Sequence, residues 1–183
     1  MKLNILKAFT IVFFGLLITT GKVSANTARP SAVLISDSNI KPADKRAETL
    51  RIYLESYNSP LAPYSKTFIQ EADRNNLDWK LVVSIAGNES QYGQMIPPES
   101  YNAWGFGVYG TNVRYFSSWD EGIAVVSKAL RTEYMNQRGA TNVYEIGSTY
   151  AEDPLWANKV MFYMNKLEDF NNQAPNSTLS ISL

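Results

Sequence analysis

Apolar residues follow two different rhythms along this chain. Ala8 to Thr19 is a mostly apolar run, with Lys2 and Lys7 before it and the small residues Val23-Ser24-Ala25 after it. That order predicts an export signal over residues 1–25, cut after the small residues. The run is shorter than the ~20 residues of a membrane-spanning helix, which makes an uncleaved anchor the alternative reading. Residues 26–41, rich in Ser, Asn and Ala, are expected to be a linker. From Pro42 the spacing becomes helical, with Leu50, Tyr53, Leu54 and Tyr57 on one face. Ser59-Pro60-Leu61-Ala62-Pro63 predicts a turn, and a second helix should run to about Asn75. Asp78 is a candidate N-cap for a third helix, which carries Val82, Ile85, Ala86 and Glu89 on one stripe.

After Gly93 the helical rhythm stops. Phe106, Val108, Val113 and Tyr115 alternate around Gly110-Thr111-Asn112, which predicts a short β-hairpin or an irregular loop. Ser118-Trp119-Asp120-Glu121 is a capping-box pattern that restarts the helix, which should close at Gly139. Thr141 can cap a short helix to Ile146. Asp153-Pro154 should open a last helix, whose apolar face is Leu155, Val160, Met164 and Leu167. The tail from Asn171 to Leu183 is Asn, Gln, Ser and Pro, and is expected to be disordered. The fold class is therefore mainly α, within α+β. One domain covers residues 42–170, with a small β-hairpin or loop beside the third helix.

Composition narrows the chemistry. Without Lys2, Lys7 and Lys22, 14 basic residues face 17 acidic ones, so no strong basic field invites nucleic acid. The chain has no cysteine and no histidine. An exported domain without disulfides must rest on its core, and 158 residues after the signal can supply one. The usual zinc sites and the Ser-His and Cys-His nucleophile systems are excluded. What remains is carboxylate, hydroxyl, amide and aromatic chemistry, with no metal and no cofactor expected.

Glu89 is the outstanding acid. It shares the stripe of Val82, Ile85 and Ala86, so it is expected against a buried surface at the end of its helix. Lost hydration and the negative helix end would both favour a proton-holding carboxyl, as a general acid needs. A partly buried structural acid is the alternative. Glu121 is better explained by its capping box.

Glu89-Ser90-Gln91-Tyr92-Gly93, then Asn102-Ala103-Trp104-Gly105-Phe106-Gly107 and Ser118-Trp119-Asp120-Glu121-Gly122-Ile123, resemble the motifs of lysozyme-like peptidoglycan-cleaving enzymes. The pattern is most similar to soluble lytic transglycosylases. The second and third segments also resemble autolysin-type N-acetylglucosaminidases. The likeness covers roughly residues 56–167. It departs at Gly105-Phe106-Gly107-Val108, where transglycosylases have G-L-M-Q.

The resemblance implies a lysozyme-like helical domain that acts as a monomer on peptidoglycan glycan strands in the cell envelope or outside the cell. Glu89 would be the catalytic acid. No Asp or Glu occurs between Glu99 and Asp120, so the expected hairpin carries no second carboxylate. Ordinary glycosidases need two. A transglycosylase needs one, because the muramic acid 6-hydroxyl attacks and leaves a 1,6-anhydro end. That is the leading expectation. A muramidase, an endo-N-acetylglucosaminidase or a non-catalytic glycan-binding protein are the alternatives.

Substrate contacts are expected from Ser90, Tyr101, Asn102, Trp104, Tyr109 and Tyr150. Ser90 is either a site hydroxyl or a helix-end hydroxyl. Asn102 either binds an N-acetyl group or starts the turn. Each of the four aromatics either stacks on a sugar ring or packs in the core. Trp119 and Trp156 are read as packing between helices.

Overall fold

The computed structural model describes residues 44–107 and 112–173, all within one unit that spans residues 41–183. The expected signal and linker, Tyr109, and the tail from residue 174 lie outside the described residues.

Among the described residues six α-helices carry the fold: α1 (Lys45–Ser56), α2 (Ser65–Arg74), α3 (Leu81–Ser90), α4 (Trp119–Ala129), α5 (Val143–Tyr150) and α6 (Trp156–Gln173). A 3₁₀ turn, Ala62–Tyr64, precedes α2, and α4 runs on into a π-helical segment, Leu130–Gln137. α6 reaches Gln173, so residues 171–173, expected in the tail, are helical. Among the described residues there is no strand beyond a single bridge position at Asn112. Of the two readings for the segment after Gly93, the irregular loop holds there. The centre of the expected hairpin, residues 108–111, is outside the description.

Local signals explain most helix starts. Asp44 accepts the Arg46 N–H at the head of α1, and Ser118 accepts the Glu121 N–H at 3.2 Å at the head of α4. The capping box is shifted by one residue: Glu121 reaches back to the N–H and hydroxyl of Ser117, not of Ser118. The same arrangement recurs at α5, where the cap is Asn142, not the expected Thr141. Glu145 there holds the N–H and hydroxyl of Thr141. Asp78 accepts the Lys80 N–H at 2.9 Å in a turn that leads into α3, whose cap position is Lys80.

α3 and α6 pack along each other, α2 against α4, and α1 against α2 and α6. α3 is buried on nearly all sides from Leu81 to Gly87. Trp104 fills the centre with no exposed surface, and its indole N–H donates to the Val82 carbonyl at 2.9 Å. The loop residue thereby locks onto the helix that carries Glu89. Gly122 makes room for it: a Cβ there would lie 2.7 Å from Trp104 Cζ3. Among the described residues no helix is long and apolar enough to cross a membrane.

Candidate active site

The E-S-x-Y-G segment is a helix end held from three sides. Gln91, Tyr92 and Gly93 all take left-handed backbone conformations, with φ of 50°, 58° and 83°. Two of the three carry side chains, a costly arrangement that persists only where the surroundings enforce it. Here they do. The Tyr92 hydroxyl shares a 2.7 Å hydrogen bond with that of Tyr53 on α1, and Ser59 donates to the Tyr92 carbonyl at 2.7 Å. Burial pushes the Tyr92 phenol well up, and the bond to Tyr53 adds to it. It stays neutral.

Ser90 is the rivet between helix and loop. Its hydroxyl faces the carbonyls of Ala103 at 2.8 Å and Ala86 at 3.1 Å, and accepts the Gly93 N–H at 2.9 Å. It is buried. Of the two roles open to it in the sequence, the structure supports the helix-end hydroxyl, since its proton is directed at two buried carbonyls and it accepts a backbone N–H inside the fold.

Asn102 does the same work for the loop. Its amide donates to the carbonyls of Phe106 and Arg114, and its oxygen accepts the N–H groups of Trp104 and Phe106. No hydrogen-bonding capacity is left for an N-acetyl group, so it is the organiser of the turn. Trp104 is wholly buried and offers no ring face to a sugar. Tyr101 is half-buried, left-handed at φ 48°, and set edge-on to Trp119.

Glu89 lies one step past these anchors, and it is exposed. The expected burial is not there. Val82, Ile85 and Ala86 are buried on the same stripe, but the stripe outruns the core by a turn, and Glu89 emerges at its edge. The carboxylate is still held. The indole N–H of Trp156 donates to Oε1 at 2.6 Å, and the Asn88 amide donates to the same oxygen at 3.1 Å. Oε2 has no hydrogen-bond partner among the described residues and faces the exposed Gly105, whose added Cβ would lie 3.6 Å away. Glu89 makes no ion pair among the described residues. One oxygen is thus fixed and the other is open.

Behind Trp156 stands a short row of rings. Tyr150 stacks on Trp156 with centroids 4.7 Å apart, and Tyr134 from the π-helical segment lies 5.6 Å from Tyr150. The Tyr150 hydroxyl donates to the Trp104 carbonyl at 2.9 Å. Burial, and then the negative charge of Glu89, push its phenol well up. Tyr150 therefore is at the site, but its ring is engaged by two neighbours and its hydroxyl by the loop. It buttresses Trp156 more than it offers a platform. Lys159, paired with Asp153 at 2.6 Å, adds a positive charge in range of Glu89.

Trp156, read from sequence as helix packing, is the missed residue. It does pack, being buried, but its one polar atom reaches Glu89. Its place as the first residue of α6 is the only sequence signal, and that signal does not name a partner.

Residues 65–169 match the glucosaminidase family, described as mannosyl-glycoprotein endo-beta-N-acetylglucosaminidase. That span exceeds half of the chain and includes every described element from α2 through most of α6. The chain belongs to the glucosaminidase family. No curated protein matches it. Among solved structures it is similar to S. aureus Autolysin E in complex with the muropeptide NAM-L-Ala-D-iGlu, at a TM-score of 0.56 and 20% identity. A catalytic glutamate-to-alanine mutant of Autolysin E in complex with the disaccharide NAG-NAM gives a TM-score of 0.55, also at 20% identity. Each match covers 67% of this chain and 66% of the other, just under two thirds of its length. The likeness establishes the lysozyme-like helical fold. The autolysin-type side of the sequence resemblance is the one the family match supports; nothing in it singles out the transglycosylase type.

Proposed function

We propose that this protein is an endo-β-N-acetylglucosaminidase that cuts peptidoglycan glycan strands, with Glu89 as the proton donor to the leaving sugar oxygen. The observation that carries the reading is the division of labour on the carboxylate. Oε1 is fixed by Trp156 and Asn88, while Oε2 faces the open side by Gly105. A substrate laid against Gly105 meets the free oxygen, and the bound sugar supplies the dry environment that the exposed carboxylate lacks in the free protein. The family match and the glycans bound by Autolysin E support the substrate class.

The missing second acid shapes the mechanism. With no Asp or Glu between Glu99 and Asp120, the nucleophile is best supplied by the substrate. In an N-acetylglucosaminidase the 2-acetamido oxygen of the cleaved sugar attacks its own anomeric carbon as Glu89 protonates the departing oxygen. Water then opens the cyclic intermediate, giving up its proton to Glu89, and the strand ends in reducing N-acetylglucosamine. The same gap in acids favours a second reading, the lytic transglycosylase, in which the muramic 6-hydroxyl attacks.

Mass spectrometry of digested sacculi separates them. Reducing N-acetylglucosamine ends are expected. Anhydro-muramic ends, lighter by one water, would transfer the assignment to the transglycosylase, and intact sacculi would remove both. With this substrate the place of action is the cell envelope or beyond it, reached through the leader at residues 1–25.

A further inference from the structure

A second concave surface lies on the other half of α6. Between α1 and α6 a cleft of about 270 Å³ is lined by Tyr53, Ser56, Tyr57, Lys166, Asp169 and Phe170. Lys166 and Asp169 are 10 and 13 residues along α6 from Trp156, so the cleft is roughly 15–20 Å from Glu89 at 1.5 Å per helical residue. It is not part of the catalytic site.

The lining has a consistent chemistry. The half-buried rings of Tyr57 and Phe170 form the wall, and buried Tyr53 backs them, 5.1 Å from Tyr57 and 5.3 Å from Phe170. Lys166 sits over the Tyr57 ring at 5.3 Å. Burial raises the Tyr57 phenol, but the neighbouring Lys166 ammonium and Tyr53 hydroxyl outweigh it and leave it lowered. Neither Lys166 nor Asp169 has an ion-pair partner among the described residues. Gln173 adds an amide at the rim.

An apolar ligand would leave the Lys166 and Asp169 head groups and the Gln173 amide at the rim without a partner on the ligand. An anion would meet that carboxylate, and a cation would meet Lys166. A neutral ring with many hydroxyls satisfies both charges by hydrogen bonds and lays its C–H face on the aromatic wall. The volume falls below the range of sites for drug-sized ligands and suits one sugar ring.

We infer that this cleft is a second glycan-binding site, taking a single N-acetylhexosamine ring of a strand other than the one being cut. The sugar's identity rests on the function proposed above; the cleft's geometry does not. Two contacts on a crowded, immobile substrate raise the effective concentration of the second site's partner once the first is held. The cleft would thus keep the enzyme on the wall between cuts.

The test is an NMR titration of the full-length Glu89→Gln variant with the N-acetylglucosamine tetramer, alone and with Lys166→Ala and Asp169→Ala added. Both added changes are on exposed side chains, so the fold is retained. Two separate groups of shifting resonances are expected, one around Gly105 and Trp156 and one around Tyr57 and Phe170. The added changes should erase only the second group. Absence of the second group in the parent, or its survival with both side chains removed, overturns the site. Loss of the first group alone would instead count against the catalytic reading and leave the cleft standing. As a second measure, the Lys166→Ala/Asp169→Ala protein should lose about five- to tenfold in rate on insoluble sacculi, with its rate on the soluble tetramer unchanged.

Discussion

Trp156 donates its indole N–H to Oε1 of Glu89 at 2.6 Å, although 67 positions separate the two in the chain. The bond joins the last turn of α3 to the first turn of α6. Replacing Trp156 by Phe keeps a ring for Tyr150 to stack on and removes the donor. A hydrogen bond to a charged group contributes about 1.5–3 kcal/mol. If half of that orients the acid, kcat/KM should fall about three- to twelve-fold. Steady-state kinetics on sacculi check this; unchanged kinetics would show that Asn88 alone suffices.

Glu89→Gln separates chemistry from folding. Glutamine retains an oxygen for Trp156 and loses the transferable proton. Because the side chain is exposed and forms no ion pair among the described residues, stability should change by no more than about 0.5 kcal/mol. Activity should drop by about 10²–10⁴, the usual contribution of a positioned acid. A thermal melt and a turbidity assay on the same preparation give both numbers.

Ser90→Ala should act through the fold. The change leaves the Ala103 carbonyl and the Gly93 N–H without their buried partner. The expected cost is about 1–3 kcal/mol of stability, seen as a lower Tm, together with lost activity as the loop detaches from the helix. A substrate-binding serine would instead raise KM at constant Tm. Measuring both separates the two roles.

Acid should unfold the protein through its helix caps. Glu121 is held below its usual value of 4.5 by the hydroxyl and N–H of Ser117, and Glu145 by the N–H and hydroxyl of Thr141. Asp153 and Glu168 are lowered by Lys159 and Lys80. A depressed folded pKa stabilises above the unfolded value and is lost as pH falls through the folded one. Tm should therefore be flat near neutrality as far as these groups are concerned, and should fall below about pH 4.5. Glu121→Gln should flatten that fall.

Much of the architecture was legible because it is local. Ser118 and Glu121 three residues apart mark the start of α4, and the Val160, Met164, Leu167 spacing marks α6, whereas Leu155, expected on the same face, lies before the helix and is exposed. The burial expected of Glu89 from its stripe fails, since periodicity cannot tell where the core ends. Ser90, Asn102 and Trp104 stand out in the sequence, but whether each faces the substrate or the fold is not decided there. Their polar atoms close bonds to Ala103, Phe106, Arg114 and Val82, and those bonds exist only after the loop has folded over α3. The π-helical turn that brings Tyr134 to Tyr150 has no periodic signature at all.

The arrangement of α3 and α6 also sets an order of events in synthesis. A ribosome delivers the acid long before it delivers the tryptophan that aims it. Until the closing helix has emerged and docked, the nascent polypeptide carries a carboxyl group without a fixed bearing. Only once α6 has docked on α3 does that group gain its bearing.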